Sequence, residues 1–91
     1  DKQEAIKWYR LAAAQGHADA QVSLGSKYEF GNGVAQDDAR ALMWFSLAAE
    51  KGSKAASYAI AEIEEDMSPA KIAQAKEMAS RCKASGYKDC D

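Results

Sequence analysis

The stretch AQVSLGSKYEFGNGVAQDDARALMWFSLAAEKG, residues 20–52, decides how this chain folds. Ala20, Leu24 and Tyr28 recur at i, i+4 and i+8, a single helical stripe that stops at Gly31-Asn32-Gly33, residues suited to positive φ. Asp37 then stands where an N-cap carboxylate accepts from free backbone N–H groups, and Ala41, Trp44 and Ala48 follow at helical spacing. Gly52 comes just after the last periodic residue, where a left-handed C′ position favours a residue without Cβ. Two helices joined by a short polar loop are predicted.

Reading outward from this hairpin, the same pattern recurs at an offset of 36 residues. Asp1 meets Asp37, Ala5 meets Ala41, Trp8 meets Trp44, Leu11 meets Leu47, Ala12-Ala13 meet Ala48-Ala49, Gly16 meets Gly52 and Ala20 meets Ala56. A period of this size is the signature of stacked helix-turn-helix units, none of which buries its apolar face alone. The predicted map is helix 2–15, helix 18–30, loop 31–37, helix 38–51, helix 54–66 and a last helix over 69–84. The last helix starts at Ser68 as N-cap and Pro69 at N1, where the missing N–H costs nothing. It lies outside the repeat, and Lys71, Gln74, Lys76, Glu77 and Arg81 give it the polar outer face of a C-terminal cap. The fold class is therefore all-α: stacked antiparallel helix pairs forming an α/α solenoid of five helices. As one repeat domain over 1–91, the chain divides into the second helix of a truncated repeat (1–16), a complete repeat (17–52), the first helix of a terminal repeat (53–66) and a cap helix with tail (67–91).

Composition agrees and excludes several function classes. Hydrophobic residues at 47% and a single proline argue for an ordered chain, and abundant alanine for closely packed helices. The formal net charge is −2, with the basic residues spread along the chain, so nucleic acid is not an expected partner. No apolar run approaches the roughly 20 residues that cross a bilayer. Asp1-Lys2-Gln3-Glu4 has no signal-peptide apolar region and no initiator Met precedes it, which leaves open a removed leader or a longer parent.

Residues 20–52 resemble the Sel-one-like repeat, a subclass of the tetratricopeptide-like helical repeats, with the pattern A-x-x-x-L-G-x-x-Y-x-x-G-x-G-V-x-x-D-x-x-K-A-x-x-W-Y-x-x-A-A-x-x-G. Ala20, Leu24, Gly25, Tyr28, Gly31, Gly33, Val34, Asp37, Ala41, Trp44, Ala48, Ala49 and Gly52 stand in the matching places, and Arg40 and Phe45 are conservative departures. Residues 1–16 match the second half of another copy. Residues 53–66 depart more, with Ile60-Ala61 in place of Leu-Gly and Glu64 in place of the tyrosine, so the array is expected to end there. The resemblance implies a right-handed superhelix and a non-enzymatic adaptor that assembles protein complexes, with a protein or peptide partner and no cofactor. Gly25 costs its helix about 1 kcal/mol relative to alanine, which predicts a neighbouring helix packed against its bare Cα.

Candidate chemistry is sparse. His17 has no second His or clustered Cys with which to share a metal, so no metal site is expected and a loop or cap role is. Ser68-Pro69-Ala70-Lys71 spells S-x-x-K, the spacing of penicillin-interacting serine enzymes, but Ser68 is a natural N-cap and no S-D-N or K-T-G partner motif is present. A serine-type β-lactam-interacting hydrolase using Ser68 and Lys71 is thus the enzymatic alternative to the adaptor; a purely structural C-terminal cap of a longer array is the other. The run Glu62, Glu64, Glu65, Asp66 matches no calcium loop. Trp8, Tyr9, Trp44 and Phe45, at repeat spacing, are expected to be core.

Cys82 and Cys90 would lie about 12 Å apart on a continuous helix, beyond disulfide reach. Ser85-Gly86 supplies a break, with Gly86 left-handed, so a disulfide is expected and, with it, the periplasm or the cell exterior. Two free thiols in the cytoplasm are the alternative. The partner surface is expected on the first helix of each pair, opposite its core stripe: Asp19, Val22, Ser26 and Glu29, then Ala55, Tyr58, Glu62 and Glu65 one repeat later. Helix 2–15 lacks a partner helix and is expected to expose apolar surface that invites self-association or a neighbouring repeat.

Overall fold

The computed structural model describes residues 1–90; Asp91, the end of the expected tail, lies outside the described residues. Five helices form in order, α1 (Lys2–Ala14), α2 (Ala18–Phe30), α3 (Asp38–Glu50), α4 (Lys54–Glu64) and α5 (Pro69–Ala84), with no strand among the described residues.

Side-chain oxygens start four of the five. Asp1 accepts from Gln3 N at 3.0 Å, Asp37 from Arg40 N at 3.1 Å, Ser53 from Ala56 N at 3.1 Å and Ser68 from Lys71 N at 3.2 Å. The helix α2 begins instead at His17, which has extended backbone and no side-chain cap bond. Three helices stop one or two residues before their expected ends. After α1 and α3, backbone N–H groups close onto carbonyls three residues back, Gln15 onto Ala12 and Lys51 onto Ala48. After α4, Asp66 N donates to Ile63 O and Met67 N to Glu64 O. These tight last turns satisfy carbonyls that a longer helix would have used.

The middle of the core is α3, where Leu42, Met43, Trp44, Phe45 and Leu47 are all buried. It packs against α2, α4 and α5, while α1 packs against α2. The α2–α3 hairpin closes at the predicted place: a Cβ built on Gly25 would lie 2.7 Å from Cε1 of Phe45. Only a bare Cα admits the ring at that distance.

The capping helix takes an unanticipated position. Although α5 follows α4 in sequence, it lies chiefly along α3, with Ser46 and Glu50 bordering it on one side and Arg40 on the other. At about 100° per residue, Met43 and Leu47 point roughly opposite to Phe45, so α5 covers the side of α3 turned away from α2. Its buried stripe is Ala75, Ala79 and Cys82.

One expectation is corrected. Trp44 is 2% exposed, but its repeat mate Trp8 is 64% exposed and Leu11 is 49% exposed. The two indoles have equivalent sequence positions and different surroundings: α3 packs against α2, α4 and α5, whereas α1 packs chiefly against α2. Tyr9 is half-buried, with Lys27 Nζ 5.9 Å from its ring centroid.

Candidate functional site

The sequence places its candidate partner surface on α2 and α4, and these two helices touch one another beside α3. Tyr58 projects from α4 and is 73% exposed; Glu62, one turn on, is exposed as well. Asp19 is exposed near the start of α2 and Ser26 is half-buried. Val22 is half-buried and packs against the core, so its side chain contributes less free surface than its repeat mate Tyr58.

Three carboxylates converge near the ends of these helices. Partial burial, then the charge of Asp38, then that of Glu62, hold the Glu29 carboxyl above the usual range. Gln36 ties the region together, its Nε2 donating to Asp38 and to the Glu29 carbonyl. Glu62 shares a face of α4 with the exposed Tyr58 ring one turn before it, an arrangement that offers a basic group a carboxylate and an apolar group a flat ring.

The remaining candidates have structural places. The Ser68 hydroxyl accepts from the Lys71 backbone as an N-cap, and Ser68 is exposed at the head of α5. Among the described residues no group of three or more His, Cys, Asp or Glu is placed to hold a metal ion, and no helix is long and apolar enough to cross a membrane.

Cys82 and Cys90 form a disulfide with Cα atoms 4.6 Å apart. The chain turns as the glycine suggested, with Gly86 at φ 71°, and Tyr87 follows at φ 67°. Tyr87 N donates to Cys82 O at 2.8 Å, closing the helix end, while Ser85 Oγ accepts from Lys88 N and Asp89 N. The tail therefore folds back onto the helix bundle, and Tyr87 joins the edge of the core.

A cluster around Tyr28 was not foreseen. Arg10 Nη2 donates to Tyr28 Oη at 3.0 Å, and the Arg40 guanidinium lies 6.0 Å from the centroid of the same ring. These groups line a groove with the 33–37 loop. Repeat reasoning is blind to them, since Ser46 and Glu64 occupy the positions of Arg10 and Tyr28 one period later.

The family model for the Sel1 repeat matches residues 1–17 and again 18–53. Two relatives carry the name exopolysaccharide production negative regulator. The one from Rhizobium meliloti (strain 1021) is 39% identical over 51 residues, covering 56% of this chain and 19% of the relative. The one from Rhizobium leguminosarum bv. viciae is 41% identical over 51 residues, with the same coverage of 56% and 19%. The chain thus spans about a fifth of the length of the curated relatives it matches.

Proposed function

The chain belongs to the Sel1 repeat family, and we propose that it is a non-enzymatic protein-interaction module whose α2–α4 face captures a segment of another protein. The observation that carries this reading is exposed Tyr58 one helical turn from Glu62, whose charge, with that of Asp38, acts on Glu29. Asp19, Val22 and Ser26 extend the same surface along α2. A segment with alternating basic and apolar side chains fits it: the basic groups meet the carboxylates and an apolar group lies on the Tyr58 ring. The regulatory names of the two relatives are compatible with an adaptor, since a module that joins proteins regulates without chemistry of its own.

The disulfide supports a place in an oxidising compartment, the periplasm or the cell exterior. Intact mass after alkylation of protein taken directly from cells, without reductant, reads this. No added label supports it, and two labels contradict it.

Photo-cross-linking tests the surface. A benzoylphenylalanine at Tyr58 in the full parent protein gives a discrete protein adduct that Glu62→Lys abolishes, while the same probe at Glu77 on α5 gives none. Equal adducts from both positions, or an adduct indifferent to Glu62→Lys, contradict the reading.

A further inference from the structure

We propose that the groove walled by Arg10, Tyr28 and Arg40 binds a carboxylate carried on an extended segment of another protein. Tyr28 is 3% exposed, so its ring is fixed in the core, yet its hydroxyl borders the groove and accepts from Arg10 Nη2 at 3.0 Å. The Arg40 guanidinium lies 6.0 Å from the centroid of the same ring. Arg10 comes from α1 and Arg40 from α3, two helices that each pack on α2. A single tyrosine of α2 thus gathers two guanidinium groups at one groove.

Charge and size select the ligand. A guanidinium presents its N–H groups in a planar fork that matches the two oxygens of a carboxylate. Asp37 lines the same groove, 3.8 Å from Arg40, so two positive charges face one negative charge. A carboxylate supplies one more negative charge and balances the groove, whereas a phosphate dianion would bring an excess charge beside Asp37. The groove encloses about 380 Å³, and Ile6 and Val34 give it apolar walls beside the charged groups. Apolar walls with a few convergent polar groups suit the stem and head of a glutamate, or the last residue of a chain.

Arg10, Tyr28 and Arg40 all have other interactions within the chain, so the ligand enters by exchange. Arg10 is exposed and the Arg40 side chain is 40% exposed, and exposed ion pairs hold their partners weakly. The groove uses α1, the end of α2, the 33–37 loop and the first turn of α3. None of Asp19, Val22, Ser26, Tyr58 and Glu62 lines it, so failure here leaves the proposed capture face standing.

The test is a titration of the intact chain with isotope-labelled arginine, read from the side-chain N–H resonances of Arg10 and Arg40. Three short alanine peptides serve as probes: one blocked at both ends with a central glutamate, its glutamine counterpart, and one with a free terminal carboxylate. The glutamate peptide is expected to move both resonances saturably at millimolar concentration or below, and the glutamine peptide to leave them in place. Whichever carboxylate peptide binds tighter identifies the source as an acidic side chain or a chain end. Arg10→Gln is expected to weaken binding about tenfold, the loss of a hydrogen bond to a charged group. Tyr28→Phe keeps the ring but loses the hydroxyl that holds Arg10 and carries a proton to donate, and is expected to weaken binding severalfold with circular dichroism unchanged. Equal shifts from the glutamate and glutamine peptides, no saturable shift from either carboxylate peptide, or an affinity indifferent to Arg10→Gln overturns the proposal. Tighter binding of inorganic phosphate than of either peptide also overturns it. Asp89 borders a second hollow with Arg40, so the titration is repeated in Asp89→Asn/Asp91→Asn. Binding seen only in that variant overturns the proposal too, because the groove then serves the chain's own acidic tail.

Discussion

Lys51 Nζ lies 5.3 Å from the centroid of the Tyr87 ring, and both side chains close over Gly16. One residue follows α3, one follows α5, and the glycine ends α1, so this contact joins three turns at one end of the bundle. The disulfide and the bonds to Ser85 Oγ hold Tyr87 there at a left-handed φ that a residue with a Cβ adopts at some cost.

Reducing the disulfide is therefore expected to loosen the tail and lower stability. The chain-entropy estimate for a nine-residue loop is about 2.6 kcal/mol, an upper figure if the reduced chain keeps local structure. Tyr87→Ala in the oxidised protein costs about 0.5–1 kcal/mol through lost cation–π contact. Urea unfolding with and without reductant checks both, and identical midpoints contradict the tail's structural role.

Ser68→Ala removes the cap of α5 and is expected to cost about 1 kcal/mol. Ser68→Asp, which restores an acceptor at that position, is expected to recover most of the loss. Thermal unfolding of the three proteins reads the series. β-Lactam turnover by the parent that vanishes in Ser68→Ala would assign the hydroxyl a catalytic role instead.

Glu29 makes stability depend on pH in a direction that follows from its raised pKa. The folded state binds this proton more tightly than the unfolded state, so its stabilising share is present at low pH. That share is lost as pH rises through the window just above the ordinary carboxylate range. Glu29→Gln is accordingly expected to raise stability at neutral pH by no more than about 0.5 kcal/mol, because the site is largely open to solvent. The difference from the parent should vanish below pH ~3, where the carboxyl is protonated in both states. A variant less stable than the parent at neutral pH contradicts the sign.

The helices were legible in the sequence because their signals are local. Asp37 and Ser68 cap where they stand, and α2 and α5 span the expected residues. Gly25 was legible for another reason: a glycine inside a helix is costly enough to demand a close neighbour, and Phe45 is that neighbour. Trp8 was misread because a repeat offset carries residue type from one copy to the next but not what surrounds it. Trp44 lies on a helix packed against α2, α4 and α5, and α5 is not part of the period. The seat of α5 on α3, the return of Tyr87 and the Arg10–Tyr28 bond are long-range contacts between residues that do not repeat, and no local pattern announces them. On the candidate face, exposed Tyr58 was anticipated, whereas the meeting of Glu29, Asp38 and Glu62 depends on how α2, α3 and α4 come together.

That α2 and α3 pack as one hairpin through a bare Cα is tested most directly by a double-mutant cycle at Gly25 and Phe45. Gly25→Ala gains helix propensity but drives a methyl group into a buried ring, with an expected net cost of about 1–3 kcal/mol. Phe45→Leu alone costs roughly 1–2 kcal/mol by shrinking a core side chain. In the double variant the added methyl occupies the space the ring vacated, so its cost is expected to fall below the sum of the two by at least about 0.5 kcal/mol. Strict additivity, or a Gly25→Ala protein as stable as the parent, would contradict the packing on which the repeat reading rests.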